Sequence, residues 1–140
     1  MISITSDPID FCKILENVMD VSSGATALFL GTVRDHNEAK EVSLLYYEAY
    51  KEMAEKNLAE IENEAKSKWN INKFVAIHRT GDLKVGEISV LVAASAPHRN
   101  HAFEACMYGI DQIKIKAPIW KKEVYKNGAD WLGGIYLKRD

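Results

Sequence analysis

Hydrophobic and polar positions along the chain switch repeatedly between an alternating rhythm and a helical one. Residues 2–5 (ISIT) alternate and predict a short strand. Asp7-Pro8 supplies an N-cap and a proline suited to a first helical turn, so a helix is expected over 8–20, with Phe11, Ile14, Leu15 and Val18 on one face. The largely apolar run 24–33 (GATALFLGTV) predicts a strand, 34–40 a polar loop, and 42–50 a second strand. Ala54, Leu58, Ile61 and Ala65 recur at helical spacing within 51–69, with charges between them. Residues 74–79 and 88–94 read as strands joined through 80–86 (TGDLKVG). Ser95-Ala96-Pro97 opens a helix reaching about Lys116, and Ala117-Pro118 ends it, because proline cannot continue the ladder and restricts the residue before it. Residues 119–125 alternate in part and predict a strand, while Gly128 and Gly133-Gly134 mark turns. The order β-α-β-β-α-β-β-α-β predicts an α+β fold with helices packed on a mainly antiparallel sheet.

Size and composition narrow the class. With 140 residues and 15.8 kDa, one domain spanning 1–140 is expected. Such a chain buries about two-thirds of its unfolded surface, enough for a core without staples. The 47% hydrophobic and 27% charged residues exclude a disordered chain. The opening MISITSDPIDF lacks the basic and apolar stretches of a secretory signal, and no apolar run is long enough to span a membrane, so a cytoplasmic location is expected. Cys12 and Cys106 lie far apart without a CxxC, which favours two packed, reduced thiols over a disulfide.

Net charge is −2, from 18 Lys+Arg against 20 Asp+Glu, which excludes a globally basic nucleic-acid binder. The charge is nonetheless segregated. Residues 48–64 hold six Glu and two Lys, read as a solvated helix face. Residues 114–126 (KIKAPIWKKEVYK) hold five Lys and one Glu. A Lys-capped helix end followed by a lysine-blunted edge strand would explain that run without any function. Alternatively, Lys114 on the last helical turn and Lys121 on the next strand point into one cleft. Arg34 follows a strand, and His98 and Arg99 fall in a first helical turn, where the dipole disfavours cations and favours a bound anion. Arg34, His98, Arg99, Lys114 and Lys121 together have the chemistry of a pocket for a phosphorylated ligand.

Other chemistries have less support. His98-x-x-His101 places two imidazoles on one helix face, but no third ligand has matching spacing, so no metal is expected. GxGxxG, GxxxxGK[ST] and GxSxG are absent. Trp69, Trp120 and Trp131 read as core or interface residues.

The runs GTVRDHN (31–37), LYYEAYKEMAEK (45–56), IHRTGDLKVGE (77–87), SAPHRNHAFEA (95–105) and IKIKAPIWKKE (113–123) resemble, in order and spacing, the large catalytic subunit family of molybdopterin synthase. The similarity covers about residues 24–132. It implies a fold of the α/β-hammerhead type. It also implies conversion of cyclic pyranopterin monophosphate (precursor Z) to molybdopterin by installation of a dithiolene. The sulfur donor is the C-terminal Gly-Gly thiocarboxylate of a small ubiquitin-like partner, whose tail enters the large subunit's pocket. The implied assembly is a heterotetramer with a central homodimer of large subunits, without cofactor, nucleic acid or membrane.

Carried onto this chain, the family's two important lysines fall on Lys114 and Lys121, and its phosphate and anion contacts on Arg34, His98 and Arg99. Lys114 is the first candidate for catalysis, shuttling protons or orienting the thiocarboxylate. Lys121 would stabilise negative charge developing during sulfur transfer and opening of the cyclic phosphate. No nucleophilic cysteine is required, because the partner delivers the sulfur. Where some relatives carry a C-terminal arginine reaching a neighbouring subunit, this chain reads Gly133-Gly134-Ile135, with Lys138 and Arg139 slightly later. Two competing readings are a phosphate-ligand or single-stranded RNA binding module using the basic segment 114–126 and a purely structural dimer subunit.

Overall fold

The computed structural model describes residues 1–37, 40–125 and 135–139, with positions 37, 40 and 135–139 described through their backbone. Strand β1 (Ile2–Thr5) leads to helix α1 (Phe11–Val18), β2 (Ala25–Thr32), a short β3 (His36–Asn37) and β4 (Lys40–Ala49). Helix α2 (Lys51–Lys68) precedes β5 (Lys73–Arg79), β6 (Gly81–Lys84) and β7 (Ile88–Ala96). Helix α3 (Arg99–Lys116), β8 (Ile119–Tyr125) and β9 (Ile135–Arg139) complete the order. The fold is α+β, as expected, but it holds two sheets rather than one. The first has the order β1-β5-β7-β2, with β1 parallel to β5 and the other pairings antiparallel. In the second, β4 is flanked by β8 and β6, β3 pairs with its start, and β9 lies beyond β8.

Both faces of the first sheet are covered, which explains why β5 and β7 read as nearly continuous apolar runs. Phe74, Ala76, Val92 and Ala94 point to α2, α3 and the larger core. Val75, Ile77, Leu91 and Ala93 point the other way, against Ile14, Leu15 and Val18 of α1. Helix α2 buries Ala54, Leu58, Ile61 and Ala65, the stripe expected from spacing. Helix α3 approaches the sheet through Gly109, where a Cβ would lie 2.8 Å from Val92 Cγ1 and 2.9 Å from Phe74 Cζ.

Several boundaries differ from expectation for local reasons. Helix α1 starts at Phe11 because Asp10, not Asp7, accepts from Lys13 N–H at 3.2 Å. Ser95 and Ala96 remain in β7, since β2 continues to pair with them, and α3 begins only at Arg99. The segment 80–86, expected as a connection, contains β6, whose Leu83 is fully buried. The expected loop 34–40 contains β3, paired with the start of β4. The turns expected at Gly128 and Gly133-Gly134 lie outside the described residues.

The acidic helix is not merely a solvated face. Glu64 of α2 pairs with Lys116 of α3 at 3.0 Å, and Asn57 donates to the Lys116 carbonyl at 2.9 Å. These bonds tie the C-terminal end of α3 to α2. The Lys116 hydrogen bond holds the Glu64 carboxyl below its ordinary range, and the Glu64 hydrogen bond raises the Lys116 ammonium.

Two outcomes follow for stability. Gly109→Ala gains about 1 kcal/mol of helix propensity, but overpacking against Val92 and Phe74 costs about 1–3 kcal/mol, so its urea midpoint is expected to fall. Because the Glu64 pKa is lowered on folding, its contribution is present above the ordinary value of 4.5 and lost as pH falls through the lowered one. Glu64→Gln is therefore expected to be less stable than the parent at neutral pH, with the gap closing in denaturation curves taken at progressively lower pH.

Candidate functional site

A cleft forms where the two sheets meet the end of α3. Its polar lining includes Arg34 and His36, Thr32 of β2, Tyr47 of β4, Ser89 of β7, Lys114 of α3, and Lys121 and Glu123 of β8. Phe29, Leu45 and Val90 give it apolar walls. Each cation arrives for a separate local reason. Gly31 pairs with Val90 but Thr32 pairs with Ile88, so Ser89 is an extra residue that bulges β7 and closes onto the Gly31 carbonyl at 3.2 Å. Arg34 lies two residues past the end of β2, next to this bulge. Lys114 occupies the last turn of α3, where a cation complements the helix dipole. Lys121 lies opposite Tyr47 in the β4–β8 register, and Glu123 opposite Leu45, so all four share one face.

Three cations and one carboxylate leave this lining with a formal net charge of +2, His36 counted neutral. Such a cleft suits an anion bearing more than one charge. Glu123 is buried and takes a 2.6 Å hydrogen bond from the Tyr125 hydroxyl, with Lys121 Nζ 3.8 Å from its other oxygen. His36 Nδ1 lies 2.7 Å from Asp35 Oδ1, and this hydrogen bond lowers the Asp35 pKa. The free volume of the cleft is about 140 Å³, below the roughly 300 Å³ at which pockets for whole small molecules begin.

The structure therefore brings together three of the five expected cations. Arg34, Lys114 and Lys121 line the cleft, whereas His98 and Arg99 do not. His98 caps the far end of α3 and Arg99 begins it, and at ~1.5 Å per residue Arg99 stands about 22 Å from Lys114. Both side chains are exposed. Lys116 turns to Glu64, and Lys122 lies over the Tyr46 ring at 5.2 Å on the opposite face of β8. The described lysines of the basic segment are thus divided among three surfaces, which disfavours the continuous basic strip that an RNA-binding reading requires; Lys126 lies outside the described residues. The backbone of Lys138 lies opposite Lys121, and that of Arg139 opposite Trp120.

No cluster of three or more metal-ligating side chains occurs among the described residues. His101 Nδ1 instead accepts from the Asn70 N–H at 2.8 Å. Trp69 packs on Tyr108 and donates to Glu104 at 2.6 Å, a structural role. Trp131 lies outside the described residues. Among the described residues, no helix is long and apolar enough to cross a membrane. Sequence reasoning missed Tyr47 and Glu123 as lining residues. The available signal for Glu123 was its position two residues from Lys121 on an alternating strand.

A profile of the MoaE protein family matches residues 4–116. The chain belongs to the MoaE family. It is 46% identical over 126 residues to the molybdopterin synthase catalytic subunit of Oryza sativa subsp. japonica, covering 90% of this chain and 65% of that relative. The chain thus spans slightly less than two thirds of the rice protein's length. The structure of molybdopterin synthase from Staphylococcus aureus superposes with a TM-score of 0.85 at 40% identity, covering 90% of this chain and 92% of that one. A complex of subunits 1 and 2 of molybdopterin-converting factor from Helicobacter pylori matches with a TM-score of 0.75 at 25% identity, covering 90% and 86%. MoaE membership places the cationic cleft in a family whose named relatives are synthase subunits.

Neither cysteine lines this cleft, and neither forms a disulfide. Cys106 is packed as expected, but Cys12 is exposed. Burial pushes the Cys106 thiol up to about 11. Titration of the native protein with a thiol reagent near pH 8 is therefore expected to modify Cys12 rapidly and Cys106 only after unfolding.

Proposed function

We propose that this chain is the catalytic subunit of molybdopterin synthase, acting in the cytoplasm on cyclic pyranopterin monophosphate. Sulfur comes from the C-terminal thiocarboxylate of a small ubiquitin-like partner, and the product carries a dithiolene. The observation that carries this reading is the convergence of Arg34, Lys114 and Lys121 on one cleft of net positive charge. Both reactants are anionic, one by its phosphate and one by its thiocarboxylate, so a shared cationic cleft lowers the repulsion between them.

In this mechanism Arg34 holds the phosphate, where its planar fork can donate twice. Lys114 orients the thiocarboxylate and moves protons between the reacting groups. Lys121 stabilises negative charge as sulfur adds and the cyclic phosphate opens. His98 and Arg99 cannot join these groups within one chain. A paired arrangement of two such chains, each with a small partner, would let one chain's His98 and Arg99 complete the other's cleft. The small free volume of the single-chain cleft supports a site built from more than one chain.

Purified chain mixed with thiocarboxylated partner and precursor Z is expected to yield a product in which two sulfurs replace two oxygens, read by mass spectrometry. Lys114→Ala is expected to fold normally and lose roughly 10²–10³-fold in rate. Full activity in that variant would remove Lys114 from the mechanism.

A further inference from the structure

Beneath the cations lies a carboxylate for which the proposed mechanism has no role. Glu123 is 2% exposed, yet it lines the cleft beside Lys121. Period-two geometry puts Lys121, Glu123 and Tyr125 on one face of β8. The buried Tyr125 hydroxyl donates to Glu123 Oε2 at 2.6 Å, while Oε1 faces Lys121 Nζ at 3.8 Å.

A buried carboxylate is strongly unfavourable unless it is paired and hydrogen-bonded. At the floor of an anion site it also subtracts charge, so anion affinity alone does not account for it. Its effect on Lys121 does. A lysine ammonium rides on a flexible four-carbon stem. A fixed negative charge at 3.8 Å defines where that ammonium rests, while the separation leaves its N–H groups able to turn to a ligand. Tyr125 fixes the carboxylate in turn, holding one oxygen so that the other faces the lysine.

We propose that Glu123 and Tyr125 are positioning residues that set the place of the Lys121 ammonium for catalysis. The catalytic part rests on the role given above to Lys121, whereas the positioning part can be read without any reaction. The test uses Glu123→Gln, Glu123→Asp and Tyr125→Phe in the full chain. First, acylation of each lysine by an amine-reactive reagent is followed by peptide mass spectrometry. Lys121 is expected to react several-fold faster in Glu123→Gln and less so in Tyr125→Phe, with Lys122, on the opposite face of β8, unchanged. Equal Lys121 rates in parent and variants would overturn the proposal. Should Glu123→Gln fail to fold, Tyr125→Phe, which loses one hydroxyl, carries the comparison.

Second, steady-state rates are measured with thiocarboxylated partner and precursor Z. Glu123→Gln is expected to lower kcat roughly 10–100-fold, while KM for the pterin phosphate stays level or falls because the cleft becomes more positive. Glu123→Asp should recover part of kcat. A rise in KM with kcat retained would contradict positioning. A parent protein that makes no product would remove the sulfur-transfer reading, and the acylation rates would still decide whether Glu123 positions Lys121.

Discussion

The antiparallel pairing of β4 with β8 is the constraint on which the cleft rests. Helix α3 delivers Lys114, but the chain must then reverse at Ala117-Pro118 and place Lys121 nearby. Pairing begins at once, with Ile119 opposite Ala49, and the Tyr50 N–H donates to the Pro118 carbonyl at 3.1 Å. Because strand side chains alternate, a slip of one residue would turn Lys121 and Glu123 outward and bring Lys122 inward. Register, fixed by the buried Ile119, Glu123 and Tyr125, therefore decides which lysine serves the site.

Much of the fold was legible because its elements carry clear rhythms. Helix α2 showed its buried stripe, and β5 and β7 showed as apolar strands. The two-sheet division was not legible. It depends on pairings between segments distant in sequence, chiefly β4 with β8, to which the four-residue β6 adds itself along β4. The start of α3 was misplaced for a related reason. Ser95 and Ala96 stay extended because β2 supplies hydrogen-bonding partners, a tertiary fact with no local trace.

The site was legible as chemistry more than as geometry. Arg34, Lys114 and Lys121 stood out as cations at element ends. His98 and Arg99 stood out by the same criterion, but an 18-residue helix keeps them from the cleft of their own chain. Summing charge along 114–126 also concealed structure. Lys114 and Lys116 lie two positions apart on a helix and face different neighbours, while Lys121 and Lys122 lie on opposite faces of a strand. Glu123 disappeared into a basic run whose only carboxylate is the one buried beneath the site.

The tether between α2 and α3 has a consequence for how the molecule responds to force and heat. Glu64 and Asn57 grip the end of α3 at the point where its last turn carries Lys114. The acidic helix, which contributes no side chain to the cleft lining, thus acts as the anvil against which the Lys114 turn is held. Fraying that starts at this helix pair would reach the cationic cleft before it reached the sheets, so loss of the cleft and unfolding of the chain are separable events.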